Sequence, residues 1–235
     1  VPFYDGGVNP HTDEGIEAFA KYCAFLAGEL RGIVDHWEMW NEWNIKAFNP
    51  SLESPETYAK LVKAVYTEVK KVNPDAFLIG CDTAGIADPK YSLNVYTWTK
   101  SVFDAGAYEY MDAVSGHHYD WDKDGFDETK YISVASSLKQ LMSEYGEPKP
   151  IWITETGVST QNGGAPKDEQ PGALAMIYAM MTAYDLSDKI MYYCLYDRAD
   201  DSYVEASWGV LNCWRRGYTS FPEANRTPNS AKPGY

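Results

Sequence analysis

The sequence predicts an α/β fold built on a parallel sheet. Three observations carry that reading. Short apolar runs of strand length alternate with stretches whose apolar residues recur at helical spacing. The strand-like runs begin near residues 33, 77, 111, 151 and 190, so each repeat is about 40 residues long, somewhat above the roughly 31 per unit of a minimal eight-unit barrel. No low-complexity linker or shift of composition interrupts the 235 residues, so residues 1–235 read as one domain. Five strands separated by helices imply right-handed crossovers in a barrel or an open sheet.

The first helix is expected from Glu14 to Leu30, where Ile16, Phe19, Ala20, Cys23, Leu26, Ala27 and Leu30 form one face. Gly32 is its stop signal. Residues 33–40, Ile-Val-Asp-His-Trp-Glu-Met-Trp, read as the first strand. Ser54 as N-cap, Pro55 at the first helical position and Glu56 in the first turn open a second helix. It runs through Tyr58, Leu61, Val62, Val65 and Val69, with Lys70 and Lys71 at its negative end and Asn73-Pro74 as its close. The second strand is 77–81. A helix over 93–103 precedes the third strand, 111–115. A helix over 130–145, ended by Gly146, precedes the fourth, 151–154. A last helix over 173–185 precedes the fifth, 190–196. Arg215 to Tyr235, rich in Pro, Asn, Ser and Thr, reads as irregular surface chain.

Composition narrows the function. Twenty Lys and Arg against 34 Asp and Glu give a net charge of −14, which repels phosphate backbones and anionic membrane surfaces. The sequence therefore predicts no nucleic-acid and no membrane partner. Cys23, Cys81, Cys194 and Cys213 lack the spacings that preorganise a zinc site. Aromatic residues make up 15% of the chain, and many flank Asp, Glu, Asn or His, a combination suited to the mixed apolar and hydroxylated faces of a sugar.

In parallel α/β folds, function gathers at the carboxyl ends of the strands. The first strand ends Trp40-Asn41-Glu42-Trp43-Asn44, the third Gly116-His117-His118-Tyr119, the fourth Thr154-Glu155-Thr156-Gly157 and the fifth Tyr196-Asp197. Two strand-end glutamates on one rim supply the paired carboxylates of glycoside hydrolysis, one protonated to help the leaving oxygen and one ionised to attack the anomeric carbon. Candidate sugar platforms are Trp43, Trp121, Tyr196 and Trp208. Trp43 is also a candidate for a less polar niche beside Glu42. Glu38, inside its strand, is expected in a buried hydrogen-bond network, and His118 on the opposite side of the strand from His117. Asp120, Asp122 and Asp124 before Gly125 copy half of an EF-hand loop, but Tyr131 stands where a bidentate Glu is required, so an acidic surface loop is the default. No metal and no cofactor are expected. A non-sugar hydrolase with a Ser nucleophile lacks a G-x-S-x-G elbow.

The run Trp37 to Glu42, followed about 110 residues later by Ile151 to Gly157, resembles the retaining glycoside hydrolases of clan A. The spacing Asp-x-x-x-x-His-x-Tyr from Asp112 to Tyr119 is similar to their sixth strand. Within the clan the form looks most like family 39, with family 5 behind it. The resemblance implies a (β/α)8 barrel of which this chain carries strands four to eight, with Glu42 as general acid/base and Glu155 as nucleophile. It implies that Asn41 bonds the sugar 2-hydroxyl, that Tyr119 orients Glu155, and that His117 lies against the same pocket. The carboxyl groups should then lie about 5 to 5.5 Å apart. Under this expectation three strands, about 90 to 120 residues, belong before Val1. They are expected on a longer polypeptide, with a partner or self-associated copy, or a rearrangement of the segment, as the alternatives; Lys232 to Tyr235 falls where an eighth helix should begin, so the catalytic domain is expected to be incomplete at both ends. The substrate would be an oligo- or polysaccharide, and the acidic, aromatic composition suggests an extracellular or periplasmic enzyme. The rival reading is a carbohydrate-binding fragment or pseudoenzyme without turnover.

Overall fold

The computed structural model describes residues 9–85, 93–119, 121–122, 125–126, 128–160, 169–197 and 207–211. The chain divides into two compact units, the first Val1–His117 with Ser133–Ile153 and the second His118–Ile132 with Thr154–Tyr235.

In the first unit, α1 (Asp13–Glu29) opens on Thr12, whose hydroxyl accepts the Gly15 N–H at 3.0 Å, one of the donors a helix start leaves unsatisfied. Its small face of Ala20, Ala24 and Ala27, with Ile16, is buried, and α1 packs on α2 (Pro55–Val72). Ser54 caps α2 as the sequence predicts, accepting the Thr57 N–H at 3.3 Å. Tyr58, Leu61, Val62, Val65 and Val69 are at most 2% exposed, each stabilising by about 1.5–3 kcal/mol relative to an exposed position. Asn73 ends α2 and also donates from Nδ2 to the Ala27 carbonyl at 3.3 Å, tying the two helix ends together.

Strand β1 (His36–Glu38) is shorter than the predicted run, because Ile33 and Val34 are exposed, 78% and 36%, before the sheet begins. It pairs in parallel with β2 (Phe77–Ala84), which pairs in parallel with β3 (Ala113–His117). Between β2 and β3 run α3 (Leu93–Asp104) and a short 3-10 turn, Tyr108–Tyr110. The core beneath is Ile79, Ala113 and Trp152, with the Phe77 ring stacked on Trp152 at 5.5 Å. Asp112 serves this framework: its carboxylate accepts the Leu78 N–H at 2.8 Å and pairs with Lys70 at 2.9 Å. It sits before β3, at the end opposite the His117 and Tyr119 of its own motif.

A two-residue hairpin follows, β4 (Trp121–Asp122) antiparallel to β5 (Gly125–Phe126). Asp120 and Asp124 of the EF-hand-like run lie outside the described residues, as do the Trp121 side chain, Cys213 and the tail from Arg215. Then come α4 (Glu128–Ser143), β6 (Ile151–Thr156), α5 (Gln170–Ala183) and β7 (Lys189–Tyr192). In the second unit, Ala173, Ile177 and Met181 of α5 are buried, with Leu186 just after it. β7 stops four residues short of the predicted end, leaving Tyr196 in an isolated parallel bridge to Leu211.

The strand order is β1-β2-β3-β6-β7, with a helix between each successive pair. That is the sequential arrangement of adjacent units in a (β/α)8 barrel. Among the described residues no helix is long and apolar enough to cross a membrane.

Candidate active site

The rim of the first unit is built by the segment after β1. Trp40 and Glu42 have positive φ, 98° and 45°, so the chain turns sharply as it leaves the sheet. Several bonds fasten that turn. The Glu42 N–H donates to the Asp82 carbonyl at 2.8 Å, and the Asn44 amide exchanges two hydrogen bonds with the backbone of Ala84, 2.8 and 3.2 Å. Asn49 donates to the Trp43 and Glu53 carbonyls and accepts the Glu53 N–H. Asn41 and Glu42 remain half-buried at the strand end.

Glu42 meets His117 there. The His117 Nδ1 lies 2.6 Å from Glu42 Oε1, and its Nε2 lies 2.8 Å from Asp82 Oδ1. His117 and Asp82 are each 1% exposed. Glu38, expected in a buried hydrogen-bond network, is exposed on β1, and its carboxylate comes within 4.8 Å of the facing atoms of Asp82 and His117. Three such groups could surround a metal, but both ring nitrogens of His117 already stand at hydrogen-bond distance from carboxylates.

Trp43 is not the sugar platform that its strand-end position predicts. It is fully buried, with Trp40 and Tyr58 rings at 5.1 and 5.5 Å and its Nε1 donating to the Glu53 carbonyl. A ring with no exposed face cannot carry a sugar, and the group that stands against the Glu42 carboxyl, where a less polar niche is expected, is the polar His117.

The rim of the second unit centres on Glu155. The Tyr119 hydroxyl donates to its Oε2 at 2.6 Å. A backbone bond and a side-chain bond hold both: the His118 N–H donates to the Glu155 carbonyl, and the Thr156 hydroxyl donates to the His118 carbonyl. The Tyr119 ring stands edge-on to Trp208 at 4.8 Å and to Tyr193 at 6.4 Å. Gly157 lets these groups converge, since a Cβ there would overlap the Tyr193 carbonyl oxygen and reach 3.0 Å from the Trp208 ring. Trp208 is fixed from behind: its carbonyl accepts the Tyr192 hydroxyl at 3.1 Å, and the next N–H, of Gly209, donates to Asp197 at 2.9 Å. Tyr196 is 38% exposed. His118 is buried, as is its neighbour His117.

Asp82 is absent from the residues that the sequence nominates, although a polar residue at the end of an apolar strand is the same signal that nominates Glu42 and Glu155. A reading of 77–81 as the whole strand stops one residue short of it.

Residues 36–217, spanning both rims, match the family described as glycosyl hydrolase catalytic core. The chain belongs to that family. No curated protein sequence matches it. Among solved structures this glycosyl hydrolase core is similar to a family 39 glycoside hydrolase from the gut symbiont Bacteroides cellulosilyticus WH2, at 26% identity and a TM-score of 0.72, over 89% of this chain and 44% of that one. It is similar in fold to a monomeric β-xylosidase from Caulobacter crescentus CB15, at 17% identity and a TM-score of 0.60, over 87% and 44% of the two chains. Xylanase 10B from Thermotoga petrophila RKU-1, solved with xylobiose, matches at 18% identity and 0.60, over 90% and 65%. The resemblance to clan A and family 39 read from the two glutamate motifs is thus shown, as is the partial (β/α)8 fold. This core spans less than half the length of the first two of these relatives.

Proposed function

We propose that the chain carries the catalytic apparatus of a retaining β-glycosidase. The observation that supports this most is the difference between the partners of the two strand-end glutamates. Glu155 receives a phenol hydroxyl at 2.6 Å, a group that donates to an anionic carboxylate and holds it in one orientation. Glu42 faces an imidazole nitrogen at 2.6 Å, a group able either to accept a proton or to donate one. The first setting suits a nucleophile and the second an acid that must later act as base.

In this reading Glu155 attacks the anomeric carbon while the departing oxygen takes the proton of Glu42, leaving a covalent glycosyl ester. Glu42, now anionic, takes a proton from water, and that water displaces Glu155 with overall retention. Asn41 contacts the 2-hydroxyl, and Tyr196 and Trp208 flank the sugar. No cofactor enters these steps. Aryl β-xylosides are the first substrates to try, alongside β-glucosides, because xylosidases and a xylanase share the fold.

The test is covalent labelling by a 2-deoxy-2-fluoro glycoside, read by peptide mass. The expected adduct lies on the peptide carrying Glu155, and Glu155→Gln should abolish it. Labelling that persists in that variant would overturn the assignment. Sugar binding by calorimetry with neither adduct nor turnover would favour a carbohydrate-binding role instead.

A further inference from the structure

The second strand of the sheet carries a buried acid that the proposed steps leave unused. Opposite Ser115, regular pairing would place one residue of β2, but two stand there: the register runs Gly80 to Val114 and then Thr83 to Gly116. The pair, Cys81 and Asp82, has positive φ, 77° and 43°, which costs about 1–3 kcal/mol per non-glycine residue and persists only where surroundings enforce it. They do so here. The Cys81 N–H donates to the Tyr58 hydroxyl at 3.1 Å, and that hydroxyl donates to the Met39 carbonyl at 3.0 Å. The Asp82 N–H donates to Ser115 Oγ at 3.2 Å, and its carbonyl accepts the Glu42 N–H at 2.8 Å. A bulge re-aims the side chains that follow it. This one delivers the Asp82 carboxylate to His117 Nε2 at 2.8 Å.

Along the line Asp82, His117, Glu42, the 2.6 Å contact of Nδ1 with Glu42 is a hydrogen bond and the 2.8 Å contact of Nε2 with Asp82 is at ion-pair distance; a proton belongs at each, because two bare acceptors so close repel. A neutral ring supplies one. The other sits on the second ring nitrogen or on the Glu42 carboxyl. We propose that Asp82 is a positioning residue for Glu42: its buried anion holds the His117 proton at Nε2, which turns Nδ1 to Glu42 and keeps the line charged with the proton that the leaving group requires. This inference rests on the reading of Glu42 as general acid/base. The proton balance is simple. Glu42 gives one proton to the departing oxygen and regains one from the attacking water, while the Nε2 proton stays in place throughout.

Among the described residues of the first unit, the Glu38 carboxylate from β1 lies within 4.8 Å of the facing atoms of Asp82 and His117, and Tyr58 from α2 and Cys81 of the bulge feel the Asp82 charge. Burial pushes the Tyr58 hydroxyl and the Cys81 thiol up, so both stay neutral. The carboxylates all favour protons on the line. Removing the Asp82 charge therefore lowers the proton affinity of the line.

Long-range 1H–15N spectra of the wild-type imidazoles test the first half without any variant, and the chain has only four histidines to assign. The expected result is a His117 protonated at Nε2 from about pH 5 to 8. Protonation at Nδ1 alone would overturn the proposal. For Asp82→Asn, the basic limb of kcat/KM should move to lower pH by about one unit, with a larger loss on poorly leaving alkoxy-phenyl glycosides than on dinitrophenyl ones. A profile superimposable on wild type would also overturn it. Glu42→Gln separates this from the parent reading: full turnover of poor leaving groups by that variant would defeat Glu42 as the acid, whatever the His117 spectra show.

Discussion

Tyr119 shows how little chemistry one atom needs to supply. Its hydroxyl is the donor at 2.6 Å from Glu155, while its ring is set independently by the edge contact with Trp208. Tyr119→Phe should therefore keep the ring and lose only the donor. A hydrogen bond to a charged group is worth about 1.5–3 kcal/mol, so hydrolysis should fall about 10- to 150-fold, with the fold unchanged by circular dichroism. An unchanged rate would remove Tyr119 from the reaction. These residues were legible in the sequence because each follows an apolar run, where a parallel sheet displays its polar side chains. Trp43 meets the same criterion and is nonetheless core, because the turn after β1, with φ of 98° at Trp40 and 45° at Glu42, rotates its ring inward. Strand-end position does not encode which way a side chain points once the chain leaves the strand.

At the scale of elements, helices were legible to within a few residues, since capping and periodicity are local: Ser54, Pro55 and Asn73 bound α2 where the sequence places them. The bulge in β2 was not, for its cause is tertiary. Nothing in Gly80-Cys81-Asp82-Thr83 announces an extra residue. The signal lies 23 residues upstream, in a tyrosine whose hydroxyl bridges Met39 and Cys81. Tyr58→Phe tests that dependence. It leaves a buried N–H and a buried carbonyl without their shared partner, at about 1–3 kcal/mol for each such group, and it frees the bulge to revert. The variant should lose about 2–6 kcal/mol in urea unfolding and lose activity through displacement of Asp82. A stability within a few tenths of a kcal/mol of wild type would show that the bulge is held by other means.

At the scale of the whole chain the dominant fact is charge, −14 over 235 residues, and it bears on which glycosides the proposed site would accept. A strongly acidic protein repels anionic ligands over distances set by the Debye length, about 30 Å at 0.01 M salt and 8 Å at 0.15 M. In the first unit, Glu38, Glu42 and Asp82 add acidity at the strand ends, where the proposed substrate would arrive. Neutral aryl glycosides should feel none of this, so their kcat/KM should be flat across that range of salt. Aryl uronides, carrying one negative charge on the sugar, should be poor substrates at low salt and improve several-fold as salt rises. The two series share leaving group and mechanism, so their ratio isolates the field from any effect of salt on the chemical step. A uronide rate that stays flat with salt, or falls, would mean that local cations at the pocket outweigh the field of the whole molecule, and the preference for neutral sugars would have to be abandoned.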